Sequence, residues 1–419
     1  MPCRTAAQIA AALMLCIAAA CSRQDAAAAN VVDGVNRHPV HLVRPRVAPL
    51  SPVAQLGRAL FFDRSLSASG QSSCASCHVP NRAYAATSDS AMLTGGRAAP
   101  SLRYVDRTPR FHIGPDVGVS DESDSVIVPA TSAVVATPHG GLFWDGRAGT
   151  LQNQAMGPLF NPAEMANATD DALAARLRQR YGAPFAALFG AETVAPADRF
   201  VAEVTFAIAR YQLEDSSFHP YDSKYDAYLE GRATLTTSEA RGLAVFDDST
   251  KGNCAACHLD RPTADGRPPV LTDYEYEAVG VPRNPALAAN RDAQHFDLGL
   301  CGPLRTDLAS HEPYCGMFRT PSLRNVALRS SFFHNGAFRT LDEAVAFYVF
   351  RDTRPEQVYP RSASGAIAQF NDLPASDRRN VDVTTAPFGR KRGDEPPMTP
   401  REMQDVVAFL KTLTDGYRN

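Results

Sequence analysis

The chain has 419 residues, with 45 acidic against 42 basic side chains and a formal net charge of −3. This length accommodates two ordinary domains. The slightly negative charge excludes the broad basic surface that nucleic-acid binding requires.

The first 29 residues have the pattern of an export signal. Arg4 supplies a positive charge, and residues 9–20 form an apolar run that is too short to span a bilayer. Two processing routes stay open: lipidation of Cys21, in a box that has Ala18 where Leu is usual, or ordinary cleavage near Ala29. Either route delivers the chain to the periplasm, and the membrane is a partner only through a lipid on Cys21.

Two similar helices are predicted in the mature chain. Ser51-Pro52 is typical of the cap and first turn of a helix, which we predict through residues 56–63. Thr237 with Ser238 and Glu239 is likewise typical of the start of a helix, which we predict through residues 241–248. The two segments, LGRALFFD and RGLAVFDD, resemble each other, and each precedes a Cys-x-x-Cys-His motif. This repeat indicates a duplicated domain.

Further helical patterns follow at about 171–189 and 196–212. A capping box from Thr399 to Glu402 begins a terminal helix. Residues 105–140 and 259–300 are rich in Pro, Asp and Arg, and we expect them to wrap over the domains. The predicted fold is mainly α, with long connecting loops and little β structure.

Two motifs have the pattern of covalent haem attachment, in which two thiols bind the haem and the adjacent His binds its iron. Zinc ribbons place their Cys pairs much closer together, and a redox dithiol would not need a His after both pairs. A local disulfide is the remaining alternative. The motifs are Cys74-Ala75-Ser76-Cys77-His78 and Cys254-Ala255-Ala256-Cys257-His258.

A third cysteine pair, Cys301 and Cys315, has no following His. In an oxidising compartment this pair predicts a structural disulfide. Closing a loop of this size is worth roughly 3 kcal/mol.

Over nearly all of the mature chain, the motifs resemble the bacterial di-haem cytochrome c peroxidase and MauG family, and its MauG-like branch more closely. The resemblance implies two cytochrome c-like haem domains, a peroxidatic one over residues 46–232 and an electron-relay one over residues 233–419. Beyond the attachment motifs, it depends on Phe143-Trp144-Asp145-Gly146-Arg147, Gln154, Gly157-Pro158, Asn161-Pro162-Ala163-Glu164-Met165, Phe318-Arg319-Thr320-Pro321-Ser322-Leu323-Arg324-Asn325 and Phe333-His334-Asn335-Gly336.

The resemblance also implies roles for single residues. His78 carries the peroxide-binding haem and His258 the relay haem. Glu164 is the distal acid, in a pocket that Gln154 and Pro158 line, although a lone Glu after Asn-Pro is more often a charge at a helix start.

Trp144 is implied to lie between the haems, where it passes electrons; a packed core Trp is the simpler alternative. Arg324 and His334 are implied to donate to haem propionates. Turn chemistry around Asn335-Gly336 is the alternative for these two residues.

Two departures from the typical family pattern bear on the iron ligands. Counting back from Pro100 places Ser90 where typical members have a His that closes the first haem, so we expect an open iron, with His112 and His139 as alternative ligands. Tyr348 stands where typical members have the axial Met of the second haem.

Tyrosinate is a hard anionic donor that stabilises oxidised iron, whereas Met favours ferrous iron. Tyr348 is also explained as a core aromatic of its helix, and Met317 is the rival ligand. A calcium ion is implied at the carbonyl groups of Arg329 and Ser331, but Ala98 replaces the Asn ligand and counts against calcium.

The resemblance implies an enzyme that uses hydrogen peroxide to form high-valent haem and oxidises a protein partner at long range. Two alternatives stay open. One is a cytochrome c peroxidase that reduces peroxide to water with electrons from a small cytochrome or cupredoxin. The other is a non-catalytic electron-transfer cytochrome, in which both irons would be six-coordinate.

Overall fold

The computed structural model describes residues 33–86, 96–115 and 136–418. The predicted signal peptide, Cys21 and Ser90 lie outside these ranges. Within them, no helix combines the length and apolar character that a membrane crossing needs.

The fold is mainly helical, as predicted, and its regular elements are joined by long loops. The helices are α1 Pro52–Phe61, α2 Cys74–Cys77, α3 Leu151–Phe160, α4 Asp170–Phe189, α5 Ala197–Glu214, α6 Lys224–Leu229, α7 Thr237–Asp247, α8 Leu341–Phe350 and α9 Pro400–Lys411. The strands are β1 His112–Pro115, β2 Ala136–His139, β3 Tyr276–Glu277 and β4 Phe318–Arg319.

The strands form two short antiparallel pairs. In the first, His112 of β1 pairs with His139 of β2. In the second, Tyr276 of β3 pairs with Arg319 of β4. These pairs hold loops together and build no layer of the core.

Each half of the chain is organised by a close crossing of two helices. Helix α1 crosses α5 at Gly57, and α7 crosses α9 at Gly242. A Cβ atom at Gly57 would lie 1.8 Å from the carbonyl oxygen of Ala207, and one at Gly242 would lie 1.9 Å from that of Asp405. Glycine is therefore required at both crossings.

Two hydrophobic cores lie around these crossings. The first includes Phe61 of α1 and Phe200 of α5, and the second includes Phe246 of α7 and Phe409 of α9. Tyr225 of α6 packs in the second core, so the chain passes from one core to the other after α5. The predicted boundary at residue 233 stays a prediction.

The N-terminal segment, residues 33–44, packs on the second half of the chain. Backbone amides of Val40 and Val43 donate to the carbonyl oxygens of Leu229 and Gly266 at 2.9 and 2.8 Å. Arg44 forms a two-pronged ion pair with Glu230, with N–O distances of 2.6 and 2.8 Å. Residues 33–44 thus pack on the second half before the chain enters the first half at α1.

Candidate functional site

The two Cys-x-x-Cys-His motifs adopt similar turns. Cys74–Cys77 forms helix α2, and Cys254–Ala256 forms a 3-10 turn. In both, the amide of the following His donates to the carbonyl oxygen of the first Cys at 2.8 Å. All four thiols of the motifs are free, which excludes the local disulfide in the structure.

Both motif histidines are oriented by the same contact. Nδ1 of His78 lies 3.0 Å from the carbonyl oxygen of Tyr84, and Nδ1 of His258 lies 3.0 Å from that of Leu271. Because a carbonyl oxygen only accepts, Nδ1 carries the proton and Nε2 keeps its lone pair. Burial lowers the pKa of both rings, that of His258 to about 4. Each His is therefore neutral and suited to bind a metal through Nε2.

Burial raises the pKa of the Cys74 and Cys254 thiols to about 12. A redox dithiol needs the opposite, a thiol with a lowered pKa. The environment of the thiols is consistent with covalent attachment to haem and disfavours disulfide exchange.

A large cavity lies at the second motif, and we call it the His258 cavity. The space between its lining atoms, counted out into its open mouth, measures about 1610 Å³. Its lining is mostly apolar and includes both motif cysteines, together with Trp144, His334 and Tyr348. Cysteines, neutral His and apolar walls fit a covalently attached haem.

The structure separates the two proposed axial ligands. Tyr348 lines the His258 cavity, whereas Met317 is absent from its lining and packs beside Tyr276. Met398 also lines the cavity, a residue that the sequence did not single out, but it is only 3% exposed and packs in the second core.

Helices α3 and α8 occupy equivalent places in the two halves. Each spans ten residues after a Thr cap, at Thr150 and Thr340, and each follows a loop closed by an isolated bridge. Pro158 and Tyr348 are both eight residues beyond the cap. The side chain of proline has no atom that can bind a metal. The position that carries the Tyr348 phenol in the second half therefore carries no metal ligand in the first half, where it is Pro158.

Glu164 lies beside Pro158, because the amide of the next residue, Met165, donates to the Pro158 carbonyl oxygen at 3.1 Å. The Asn161 side-chain amide donates to Glu164 Oε1 at 2.6 Å. Glu164 is exposed, and desolvation by the surrounding protein atoms still raises the pKa of its carboxyl. Its charge also acts on Cys77 of the first motif, which places it near that motif. Gln154 is one turn before Pro158 in α3.

Trp144 connects the two sites through residues 98–100. Its Nε1 donates to the Ala98 carbonyl oxygen at 2.8 Å, and the Ala98 amide donates to the His334 carbonyl oxygen at 2.7 Å. The Pro100 carbonyl contacts His78. Trp144 is 7% exposed and reaches the His258 cavity.

The structure does not bring Arg324 to this cavity. Its guanidinium forms a buried two-pronged ion pair with Asp226, with N–O distances of 2.8 and 2.7 Å. Both terminal nitrogens of Arg324 therefore already have a carboxylate partner within the chain. His334 does line the cavity. Its ring stacks on Phe318 at 3.5 Å, and its Nε2 lies 3.4 Å from Asp372 Oδ2.

The loop between β4 and α8, to which the resemblance assigns calcium, contributes a side chain that the sequence prediction missed. The guanidinium of Arg329 lies over the Trp144 ring, 5.6 Å from its centroid, and lines the cavity. Ala98 brings no side-chain oxygen there. Ser331, two residues after Arg329, is buried. The calcium assignment stays a prediction.

His112 and His139, the alternative ligands, lie side by side in the β1–β2 pair. Their rings stack with centroids 5.3 Å apart, and His139 Nε2 lies 3.1 Å from Glu275 Oε1. Elsewhere, Cys301 and Cys315 form a disulfide.

Residues 51–234 match the family described as di-haem cytochrome c peroxidase. The chain is 33% identical to methylamine utilization protein MauG of Paracoccus denitrificans, over 87% of this chain and 88% of that protein. It is 30% identical to cytochrome c551 peroxidase of Nitrosomonas europaea, over 73% and 75% of the two chains. The crystal structure of the diheme peroxidase BthA from Burkholderia thailandensis superimposes with a TM-score of 0.77 at 40% identity, over 92% of this chain and 93% of that chain.

Proposed function

Because the chain belongs to the di-haem cytochrome c peroxidase and MauG family, we propose that it is a MauG-like member that oxidises a protein partner at long range. It is an oxidoreductase acting on peroxide, and it carries two c-type haems. When bound, haem supplies an iron that reacts with peroxide and a ring that holds or passes oxidising equivalents. We place the protein in the periplasm.

The proposed holders of the haems are the residues of the two motifs. Cys74 and Cys77 would bind one haem as thioethers, with Nε2 of His78 toward its iron. Cys254, Cys257 and His258 would do the same for the second haem. The matching Nδ1 contacts of the two histidines support this assignment.

One observation carries the proposal of a MauG-like enzyme: Tyr348 and His258 line the same cavity, and Met317 does not line it. Burial raises the pKa of the Tyr348 phenol well above its usual value, so only a strong cation such as ferric iron would deprotonate it. A phenolate would then favour the oxidised state of the second haem, which suits storage of oxidising equivalents.

The residues around Pro158 would receive peroxide at the proposed first haem site. Since Pro158 offers no ligand, the side chains around it are free to act on peroxide. Glu164 would take a proton from one peroxide oxygen and give it to the other, with the Asn161 amide holding its carboxylate in place. Trp144 would pass electrons between the two sites.

Electron paramagnetic resonance of the oxidised holoprotein tests the proposal. We expect one high-spin and one low-spin ferric signal, both lost on adding one equivalent of peroxide. Tyr348→Phe should alter the low-spin signal, whereas Met398→Leu, the matched control in the same cavity, should leave it unchanged. Two low-spin signals that ignore peroxide would contradict the proposal.

The similarity to a cytochrome c551 peroxidase favours a second candidate, reduction of peroxide to water with electrons from a small cytochrome or cupredoxin. Stopped-flow mixing with a reduced small c-type cytochrome separates the two. Rapid peroxide-dependent oxidation of that cytochrome would support the second candidate, and its absence together with long-lived oxidised haem would support the first.

A further inference from the structure

Arg329 is a half-buried cation in the lining of the His258 cavity. It follows the 3-10 turn Val326–Leu328 and lines the cavity beside Trp144. Its Nη2 atom is buried without a hydrogen-bond partner, and in the described ranges no carboxylate forms an ion pair with it. Burial lowers the pKa of this guanidinium to about 10.

Two neighbouring arginines have hydrogen-bond partners within the chain. Arg97 pairs with Asp145 and Asp297, with N–O distances of 2.7 and 2.6 Å. Arg319, which also lines the cavity, donates to the Gly141 carbonyl oxygen at 2.7 Å. Arg329 differs because its buried Nη2 has no hydrogen-bond partner among the described residues. Because a buried cationic donor without an acceptor is unfavourable, this atom indicates that a further acceptor enters the cavity.

We infer that Arg329 binds a propionate carboxylate of the haem in the His258 cavity, and so fixes an ion pair against the face of Trp144. The inference rests on the proposed haem site at Cys254, Cys257 and His258. Propionate is the anion that a haem brings with it, and the planar fork of a guanidinium matches a carboxylate. The propionate contact predicted for Arg324 is then made by Arg329, five residues further along the chain.

The ion pair affects the electron path as well as binding. A lone cation over the indole would oppose removal of an electron from Trp144, because the face of the ring would have to lose negative charge beside a positive one. A propionate cancels most of that opposition. Arg329 is therefore a positioning residue that holds the haem edge and the Trp144 ring in register.

The test compares Arg329→Met and Arg329→Lys in the haem-loaded chain with wild type. Arg361→Met is the matched control, since that exposed guanidinium donates only to the Gly365 carbonyl oxygen among the described contacts. Resonance Raman bands of the propionates report their hydrogen bonding, and a redox titration reports the potential of the second haem. We expect Arg329→Met to shift a propionate band and lower the potential, Arg329→Lys to restore most of the potential, and Arg361→Met to change neither.

If Arg329→Met carries two haems per chain and leaves the propionate bands and the potential of the second haem unchanged, the inference about Arg329 is overturned and the proposed haem sites are not. Fewer than two haems per wild-type chain, counted by the pyridine haemochrome assay, would instead overturn the proposed haem sites. If Arg329→Met does not fold, a crystal structure of the haem-loaded wild type decides. A guanidinium nitrogen within roughly 3 Å of a propionate oxygen supports the inference, and a distance beyond roughly 4 Å refutes it.

Discussion

Replacing Gly57 with Ala should destabilise the first half of the chain, because the new methyl group meets the backbone of α5. Its Cβ would lie 1.8 Å from the Ala207 carbonyl oxygen, whereas close carbon–oxygen contacts are about 3.3 Å. The two helices must therefore separate by roughly 1.5 Å. Overpacking of this kind costs roughly 1–3 kcal/mol. Because the Ala207 carbonyl belongs to a helix and cannot move away alone, we expect a cost near the upper end, about 3 kcal/mol. Alanine regains about 1 kcal/mol as a better helix former, so we expect a net loss of about 2 kcal/mol.

The matched control is Gly182→Ala in α4, where the new Cβ would meet only Val194 and Arg178 at 3.7 and 3.8 Å. This variant should gain up to about 1 kcal/mol. For a unit of this size, 1 kcal/mol corresponds to roughly 2–4 °C in the melting temperature. Calorimetry should therefore show Gly57→Ala melting about 4–8 °C lower and Gly182→Ala slightly higher. Equal melting of wild type and Gly57→Ala would refute the reasoning.

Three further predictions concern single side chains. Glu164→Gln should slow the reaction with peroxide by roughly 10²–10⁴-fold, and stopped-flow rates should lose the decline that wild type shows as pH falls through the raised pKa of Glu164; an unchanged pH profile would contradict the assignment. Tyr348→Met should raise the potential of the second haem in a redox titration, because Met favours ferrous iron; a lower potential would argue against Tyr348 as ligand. The Arg44 guanidinium lowers the pKa of Glu230 to about 2, so the stabilisation from the Arg44–Glu230 ion pair should be full above pH 4.5 and lost as pH falls toward 2. The free energy of unfolding of Glu230→Gln should lack this pH-dependent loss, and acid-unfolding curves identical to those of wild type would refute the prediction.

The helices were predictable because their signals are local. The predicted helices at 171–189 and 196–212 correspond to Asp170–Phe189 and Ala197–Glu214, and the capping box at Thr399 is present. The cap of α7 was misplaced by one residue: Thr236, not Thr237, receives the amide hydrogen bond of Glu239. A run of adjacent Thr and Ser residues leaves the sequence pattern unable to choose among them.

The pairing of buried charges was not predictable, because it depends on which loops meet. Arg324 and Arg329 are five residues apart in one loop. Nothing local shows that Asp226, far back in the chain, pairs with Arg324, or that Nη2 of Arg329 has no partner among the described residues. The equivalence of Pro158 and Tyr348 was missed for a related reason. Their helices share position and cap but little sequence, so only superposed geometry aligns them.

The N-terminal segment, residues 33–44, has a consequence for how the protein is made. Arg44 and its partner Glu230 are 186 positions apart, and synthesis and folding proceed from the N-terminus. The segment therefore has no surface to dock on until the chain up to Glu230 and beyond, including Cys74 and Cys77, has emerged. At the proposed first haem site, attachment can be completed on an open chain, and the late docking of residues 33–44 then joins this segment to the second half of the polypeptide.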